Sequence, residues 1–276
     1  MKCQYASMRC SRVIELEKVF NDRKQLVKYV NEISPWLQGS NASSIMGGIS
    51  QVERQLQDID PIKYCRTRNF LNGKVTKLSP YIRHGMLTLD RLRNEALTLC
   101  KDPQQIEKFI QELAWRDYWQ RIYQQHPNYV WDDIESYKTG FRADEYEDGL
   151  PEDIATANTG VACIDQFIKI LLQTGYMHNH TRMYVAAYVV HWRRIKWQAG
   201  AKWFLHHLID GDPASNNFSW QWVASTFSNK PYIFNLDNVR KYAHAEINTN
   251  SNDNVVLDAS YEILTLSLFP NKGMKQ

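Results

Sequence analysis

The strongest constraint on the fold is a helix-start signal found at three positions. A residue that commonly caps helices stands directly before proline at Ser79-Pro80, Asp102-Pro103 and Asp212-Pro213. A capping side chain accepts a hydrogen bond from a free backbone N–H, and proline suits the first helical position because no N–H is needed there. Gln105 also stands at the capping-box position after Asp102. We therefore predict long helices after Ser79 and Asp102, and another helix after Asp212.

The remaining sequence pattern is also helical. Helices are expected over residues 12–33, from about 49 to 58, over 162–175 and over 180–195, whereas residues 60–78 are expected to be irregular. No segment combines period-two alternation with turn dipeptides, so strands do not organise the chain. The predicted fold class is all-α. It comprises a helical lead-in (1–60), a main helical domain (61–244) and a C-terminal tail (245–276) that is either helix or strand.

Composition favours a globular protein of the cytoplasm. Of the 276 residues, 43% are hydrophobic, which is enough to bury a core. The longest apolar stretch, residues 183–190, is far shorter than the roughly 20 residues of a membrane helix. The first residues lack an apolar secretory signal. The five cysteines are odd in number and have no metal-binding spacing. We expect free thiols, no metal site, no membrane contact and a cytoplasmic location.

The charge is nearly balanced overall but unevenly distributed. The formal net charge is +3, yet residues 166–209 contain six Lys or Arg and no Asp or Glu. Residues 131–165 contain ten acidic residues against two basic ones. Basic stretches that converge on one surface would bind phosphate groups, such as those of a nucleic acid. Solvated faces of unrelated helices would give the same distribution, and the sequence leaves both interpretations open.

Side chains with useful chemistry cluster on three predicted helices. The clusters are Glu112, Trp115, Arg116 and Trp119 on one helical face, Asn179 and Met183 four residues apart, and Asn216 and Trp220 four residues apart. A helix–helix salt bridge surrounded by aromatic rings would explain the first cluster equally well. The nine Trp and fifteen Tyr, several of them beside Asn, Arg or Asp, indicate a large planar ligand, stacked bases or both.

Seven segments in a fixed order resemble the helical FAD-binding domain of the photolyase/cryptochrome flavoproteins. They are YCRTRN (64–69), VTKLSPYIRHG (75–85), ELAWRDYW (112–119), TGYMHNHTRM (174–183), KW (196–197), LIDGDPASNNFSWQW (208–222) and PYIFN (231–235). The resemblance implies an all-helical domain that holds FAD in a bent conformation. It also implies a protein without an antenna-binding domain, because no segment resembles the N-terminal α/β domain of the family.

The resemblance assigns a set of residues to FAD. Asn216 would lie beside flavin N5, Asp212 would face the pyrimidine edge of the flavin, and Arg182 would pair with Asp210. The loop from Thr76 would contact the phosphates, since a helix start offers free N–H groups to an anion. Val75 stands where the family usually has a hydroxyl residue. The predicted cofactor residues are Tyr64, Thr76, Lys77, Leu78, Ser79, Phe109, Arg116, Arg182, Asp210, Gly211, Asp212 and Asn216.

A second set is assigned to substrate and catalysis. The residues that would receive a flipped-out cyclobutane pyrimidine dimer are Glu112, Trp115, Asn179, Met183 and Trp222, and the catalytic residues are Glu112, Asn216, Trp220 and Trp197. Trp220 and Trp197 resemble the first two electron carriers of the family. No Trp occurs near residue 144 for the outer carrier, so Tyr146, Trp192 or Trp203 would replace it. Six-four photolyases have histidines at the positions of Asn179 and Met183.

The resulting prediction is a monomeric DNA photolyase. Photoexcited reduced FAD would donate an electron to the cyclobutane dimer in UV-damaged DNA and recover it after the ring splits. Three alternatives are open: activity on six-four photoproducts, a cryptochrome-like blue-light sensor acting through the C-terminal tail, and a helical nucleic-acid-binding module that has lost flavin.

Overall fold

The structure, a computed structural model, describes residues 15–34 and 43–271. Within these ranges the regular structure is helical, and the single β contact is an isolated parallel bridge between Glu147 and Ile195. The predicted all-α fold class is therefore confirmed. The chain divides into two compact units, Met1–Ala42 and Ser43–Gln276. Among the described helices, none has both the length and the apolar content needed to cross a membrane.

The described part of the first unit contains helix α1, Arg23–Ile33. Asp22 caps this helix, because its Oδ1 accepts a hydrogen bond from the Gln25 N–H at 2.8 Å. The predicted helix over 12–33 is wrong for residues 15–22, since the chain there is not helical and the cap sits at Asp22. Residues 12–14, like Cys3 and Cys10, lie outside the described residues.

Twelve α-helices are described in the second unit. They are α2 (Ile49–Gln57), α3 (Pro61–Thr67), α4 (Ser79–Arg83), α5 (Leu89–Leu99), α6 (Glu107–Gln125), α7 (Glu152–Ala155), α8 (Ala162–Thr174), α9 (Asn179–Ala187), α10 (Trp197–His207), α11 (Pro213–Ala224), α12 (Leu236–Tyr242) and α13 (Tyr261–Leu268). The predicted helices near 49–58 and 162–175 are confirmed. The one predicted over 180–195 is α9 followed by a π-helical turn, Tyr188–Trp192.

Two of the three predicted helix starts are capped as expected. Asp212 accepts a hydrogen bond from the Ser215 N–H at 3.0 Å, and Asp102 accepts one from the Gln104 N–H at 3.1 Å. The prediction of a long helix after Ser79 is wrong, because α4 has only five residues. The Ser79 hydroxyl does not cap it but donates to Asp210 at 2.6 Å. A tertiary contact therefore replaces the local cap.

The expectation of an irregular chain over 60–78 is wrong for α3. Asp60 accepts a hydrogen bond from the Lys63 N–H at 2.9 Å, and Pro61 occupies the first helical turn. This is the same cap-plus-proline signal that was read correctly at Asp102 and Asp212. The helix at residue 61 was therefore predictable from the sequence.

Two of the buried clusters form most of the core of the second unit. The small core joins α2 to α6 and includes Val52, Leu56, Leu78, Tyr81, Leu92, Ala96, Ile106 and Phe109. The large core joins α8 to α12 and includes Ile164, Phe167, Leu171, Tyr184, Val189, Trp197, Phe204, Trp220, Phe234 and Val239. Helix α6 has 19 residues but only Phe109 is buried. One face of α6 is therefore available to line the space between the cores.

The segment after residue 244 packs as helix and turns. Asn254 is 1% exposed, and its Oδ1 accepts a hydrogen bond from the Cys163 N–H at 2.9 Å. Helix α13 follows, and Arg194 donates to its Leu268 carbonyl at 2.6 Å. Of the two possibilities for this tail, the structure gives the helix. The described thiols, Cys65, Cys100 and Cys163, are free.

Candidate functional site

A cavity of about 700 Å³ lies between the small core and the large core. Its walls come from α6, α9 and α11 and from two connecting loops, residues 75–79 and 208–212. This volume is typical of sites that hold a small molecule or cofactor. The cavity is therefore the candidate site of this chain.

The cavity brings together nearly all of the predicted site residues. Those that line it are Tyr64, Thr76, Lys77, Leu78, Ser79, Phe109, Glu112, Trp115, Arg116, Asn179, Arg182, Met183, Asp210, Gly211, Asp212, Asn216, Trp220 and Trp222. Trp197 is the exception: it is fully buried behind the wall. Residues more than 100 positions apart in sequence thus meet in one space, while their individual roles stay predictions.

Asp210 joins three segments of the cavity wall. Its Oδ2 accepts hydrogen bonds from Arg182 at 2.8 Å and from the Ser79 hydroxyl at 2.6 Å. Arg182 also donates to the Met177 carbonyl at 2.8 Å. Burial opposes ionisation of Asp210, but the Arg182 guanidinium and the Ser79 hydroxyl outweigh it and hold the pKa of this carboxyl below its usual range. The expected pairing of Arg182 with Asp210 is present.

Asp212 is held as an ionised acceptor at the start of α11. Its Oδ2 accepts from the Ser215 N–H at 3.0 Å and from Gln120 at 2.7 Å, and the Arg116 guanidinium lies 3.8 Å away. Burial raises the pKa of this carboxyl. The hydrogen bonds and the Arg116 charge lower it by more, so the pKa lies below its usual range. Gln120 was missed from the sequence, although it follows Arg116 by four residues on the same helical face.

The loop of residues 75–79 is shaped by an unusual backbone. Lys77 has φ of +52°, in the left-handed region that side-chain-bearing residues rarely adopt. Such conformations concentrate where the chain must present groups to a ligand. The helix that follows, α4, is tied to the other loop because Arg83 donates to the Gly211 carbonyl and His84 lies 2.9 Å from the Ile209 carbonyl.

Asn216 has its amide nitrogen fixed within the protein. The nitrogen donates to the Ala201 carbonyl at 3.1 Å and to the Asn217 side chain at 2.9 Å. Both amide hydrogens are thereby used, so the oxygen is the atom left to accept a hydrogen bond from a bound molecule. The expected role of Asn216 beside a protonated ring nitrogen stays a prediction.

Glu112 is neutralised by two cations. Its Oε1 lies 2.9 Å from Arg68 and 3.0 Å from Lys108. Burial and the Glu112 charge raise the pKa of Tyr64, whereas the nearby Arg68 opposes this shift. Arg68 and Lys108 line the cavity but were not predicted as site residues. The available signal was their spacing, four residues after Tyr64 and four before Glu112.

Aromatic rings surround the mouth of the cavity. Trp115 is 49% exposed and stacks on Trp119 with 5.3 Å between ring centroids. Trp222 is 41% exposed and packs against Tyr232 at 5.7 Å. Exposed apolar side chains that form a contiguous patch mark a binding surface.

The cap at the start of α9 is provided by His178, the neighbour of Asn179. His178 Nδ1 accepts a hydrogen bond from the His180 N–H at 3.1 Å. Burial, together with nearby cations, lowers the pKa of His178 to about 4, so the ring is neutral near pH 7. Asn179 is therefore not needed as a cap, and its side chain remains available to the cavity that it lines.

Trp220 and Trp197 lie in the large core. The Trp197 indole N–H donates to Asp133 at 2.6 Å, and Trp220 packs edge-on against Phe204 at 4.9 Å. Tyr146, Trp192 and Trp203, which were considered as replacements for an outer carrier, do not line the cavity. Tyr146 stacks on Tyr137 at 4.4 Å and is 4% exposed.

The cavity also contains a polar atom that lacks a partner within the described residues. Asp210 Oδ1 is buried there without a hydrogen bond. Buried polar atoms are normally satisfied, so a polar ligand is the simplest partner for this oxygen. With the Asn216 oxygen and the aromatic walls, this donor and acceptor set fits a flavin dinucleotide, which combines a flat ring with polar edges and phosphates.

Comparison with known protein families decides the classification. Residues 109–248, just over half of the chain, match the family model described as the FAD binding domain of DNA photolyase. The chain belongs to the DNA photolyase family. The predicted FAD cofactor agrees with the description of that family.

Relatives of this photolyase-family chain match its helical part. The mitochondrial deoxyribodipyrimidine photo-lyase of Saccharomyces cerevisiae is 32% identical over 200 residues, which cover 65% of this chain and 34% of the yeast protein. The Synechocystis cryptochrome has a TM-score of 0.63 at 25% identity and matches 73% of this chain over 44% of its own length.

An archaeal photolyase from Sulfolobus tokodaii, solved with two FAD molecules, has a TM-score of 0.61 at 28% identity over 73% of this chain and 45% of its own. The photolyase-family chain spans about a third of the length of the curated photo-lyases that it matches.

Proposed function

We propose that this protein repairs cyclobutane pyrimidine dimers in DNA with light. The observation that carries the proposal is that two sets of side chains share one cavity. Asn216 and Asp212 belong to the set expected to hold the flavin, and Glu112 and Trp115 belong to the set expected to hold the dimer. A donor and an acceptor of an electron bound in the same 700 Å³ space would lie close together. The photo-lyase names of the relatives support the same activity.

Residues of the loops and of α11 would hold FAD. Bound FAD in its reduced form would supply, on absorbing light, the electron that opens the cyclobutane ring. Asp212 stays ionised and would accept a hydrogen bond from a ligand edge that donates N–H. Asn216 would present its amide oxygen to a neighbouring N–H, because its nitrogen already donates to Ala201 and Asn217. The ion pair of Arg182 and Asp210 holds α9 against the loop of residues 208–212.

The aromatic mouth would receive the damaged bases. Trp115 and Trp222 offer exposed indole faces on which flat or puckered rings can pack. A dimer costs less to extrude from a duplex than a well-stacked base pair, which favours damaged sites. Glu112 would accept hydrogen bonds from the polar edge of the dimer while Arg68 and Lys108 balance its charge. Phosphate contacts would make binding weaker at higher salt.

The first prediction tests this activity directly. The protein, reconstituted with FAD and reduced, is mixed with an oligothymidine that contains one cyclobutane dimer and is illuminated with blue or near-ultraviolet light. We expect thymine absorbance to return in the light and not in the dark. Glu112→Gln should slow repair about tenfold or more, since a hydrogen bond to a charged group contributes about 1.5–3 kcal/mol.

The matched control is Glu107→Gln on the same helix. Glu107 accepts a hydrogen bond only from Gln111 in the described residues and does not line the cavity. This variant should repair at the wild-type rate. Absence of light-dependent repair by fully reduced, FAD-loaded wild type would refute the proposal. The same assay with a six-four photoproduct tests that alternative substrate.

Light sensing is a second candidate, supported by the likeness to the Synechocystis cryptochrome. A sensor would change the packing of the segment from residue 245 onward when its flavin absorbs light. Limited proteolysis of the FAD-loaded protein in the dark and in the light distinguishes the two functions. Light-dependent cleavage in that segment without repair would favour sensing.

A further inference from the structure

Helix α6 carries a second exposed aromatic ring beside the cavity mouth. Tyr118 is 42% exposed and lies three residues after Trp115, with 5.8 Å between the ring centroids. Trp115 lines the cavity and Tyr118 does not. Together they form a series of rings that leads from the cavity to the outer surface. We call this pair the aromatic shelf.

The shelf is held in place from the protein side. Tyr118 packs on Trp119 at 5.1 Å, and Trp119 packs in turn on Phe218 at 5.5 Å and Phe227 at 5.4 Å. Each shelf ring therefore contacts Trp119 and is still more than 40% exposed. Rings fixed in this way bind a flat partner at little conformational cost.

The ring geometry indicates which flat partner fits. The planes of Trp115 and Tyr118 are inclined at 77°. Two neighbouring bases can stack on both rings only if their own planes are strongly inclined. Neighbouring bases in a duplex are parallel, whereas those of a single strand can turn independently. The shelf thus suits an unpaired base next to the one in the cavity.

Charge and size favour this occupant over a protein. The acidic neighbour Asp117 is paired with Arg121 at 2.7 Å, while Arg68 and Lys108 provide cations at the cavity. Two exposed rings offer far less area than the roughly 1,000 Å² expected of a stable protein interface. Stacking of one base on one ring, in contrast, is an established source of affinity for single strands.

We propose that Tyr118 is a stacking site for the unpaired nucleotide that flanks the base in the cavity, so that the protein binds single-stranded or locally opened DNA in preference to closed duplex. This inference rests on the proposed DNA-repair function and specifies its substrate. It assigns to Tyr118 a contact outside both the cofactor set and the dimer-binding set.

The test measures binding of undamaged DNA, without light or turnover. Fluorescence anisotropy gives the Kd for labelled single-stranded oligothymidine and for a duplex of the same length, at fixed salt. Tyr118→Ala should weaken single-strand binding about tenfold and duplex binding less than twofold. Tyr118→Phe keeps the ring and should bind like wild type, whereas Tyr118→Leu should bind like the alanine variant.

The matched control is Tyr129→Ala. Tyr129 is 38% exposed, stacks on His126 at 4.6 Å and does not line the cavity. Its removal should leave both affinities unchanged. Unchanged single-strand affinity in Tyr118→Ala would overturn the proposal, and so would an equal loss on both DNA forms. A dimer in sedimentation that Tyr118→Ala dissociates would also overturn it, by identifying the shelf as a self-interface.

Failure of the two proposals can be told apart. If single-strand binding depends on the Tyr118 ring but no light-dependent repair occurs, the stacking site is supported and the repair function is rejected. If repair occurs and the DNA affinity does not depend on Tyr118, only the stacking site is rejected. Lack of DNA binding by the wild type would reject both.

Discussion

Asp210 is the most deeply buried carboxylate among the ion pairs of the cavity. Its side chain is 2% exposed, and its partner Arg182 is 23% exposed. Removing one member of such a pair leaves the other charge without compensation in a poorly hydrated site. The carboxylate also accepts the Ser79 hydroxyl, so it joins α9 to the start of α4. A substitution of Asp210 should therefore disturb both α9 and the start of α4.

We predict that Asp210→Asn lowers the free energy of unfolding by about 3 kcal/mol near pH 7. The folded-state pKa of Asp210 is below the ordinary value, so the stabilisation is present above about pH 4 and is lost as the pH falls through the folded pKa. The difference between wild type and variant should thus shrink below pH 4. Urea unfolding of the flavin-free protein across pH measures it.

Asp144→Asn serves as the control for Asp210→Asn. Asp144 pairs with Arg142 at 2.8 Å, but both side chains are 67% exposed. Exposed ion pairs contribute little to stability, so this variant should unfold like wild type. Equal behaviour of the two variants would contradict the importance given to burial at Asp210.

Helices α10 and α11 cross so closely that one position must lack a side chain. A Cβ added at Gly200 would stand 2.2 Å from Trp220 Cη2, and Trp220 is only 2% exposed. Glycine in a helix normally lowers stability relative to alanine by about 1 kcal/mol. The crossing explains why glycine is nevertheless used here. The indole that lines the cavity is positioned by this contact.

We predict that Gly200→Ala lowers the free energy of unfolding by about 1–3 kcal/mol, in spite of the better helix propensity of alanine. It should also alter the tryptophan emission spectrum, because the Trp220 ring must move. Gly149→Ala is the matched control, since nothing lies within 4 Å of the added Cβ there. A stabilised Gly200→Ala protein with unchanged emission would contradict the packing argument.

Local signals in the sequence explain some elements and fail at others. Asp212 and Gly175 mark the start of α11 and the end of α8 because each acts within a few residues of its own position. Ser79 fails as a cap because its hydroxyl bonds Asp210, 131 residues away. Such a contact depends on the assembled fold, so the length of α4 could not be read locally. The start of α3 could have been.

Across the whole molecule, the family resemblance predicted which residues line the cavity far better than the spacing of residues along the sequence could. Spacing placed Glu112 and Trp115 on one face of a helix, but it could not bring that face to Asn216. The resemblance is to a complete fold, so it identified 18 of the residues that line the cavity. It did not provide Arg68, Lys108 or Gln120, whose contacts depend on this chain's own side chains.

The two cores differ in size, and the cavity separates them. Within residues 15–34 and 43–271, the small core consists of 11 buried residues and the large core of 32. A ligand that contacts both walls adds stability to each core and links their opening. At 100 times its Kd, a ligand that binds only the folded state contributes about 2.7 kcal/mol. The smaller core has less stability of its own, so it should gain most.

We therefore predict that saturating FAD slows amide hydrogen exchange about 100-fold in α4 and α5 of the small core. Exchange in α13 should change much less, since its cluster with Trp192 and Ile233 contains no residue that lines the cavity. Hydrogen-exchange mass spectrometry with and without FAD measures both. A uniform slowing across all peptides would indicate global stabilisation only and would contradict a bridge between two cores. The Asp210→Asn variant, which breaks one wall contact, should lose most of the gain in α4.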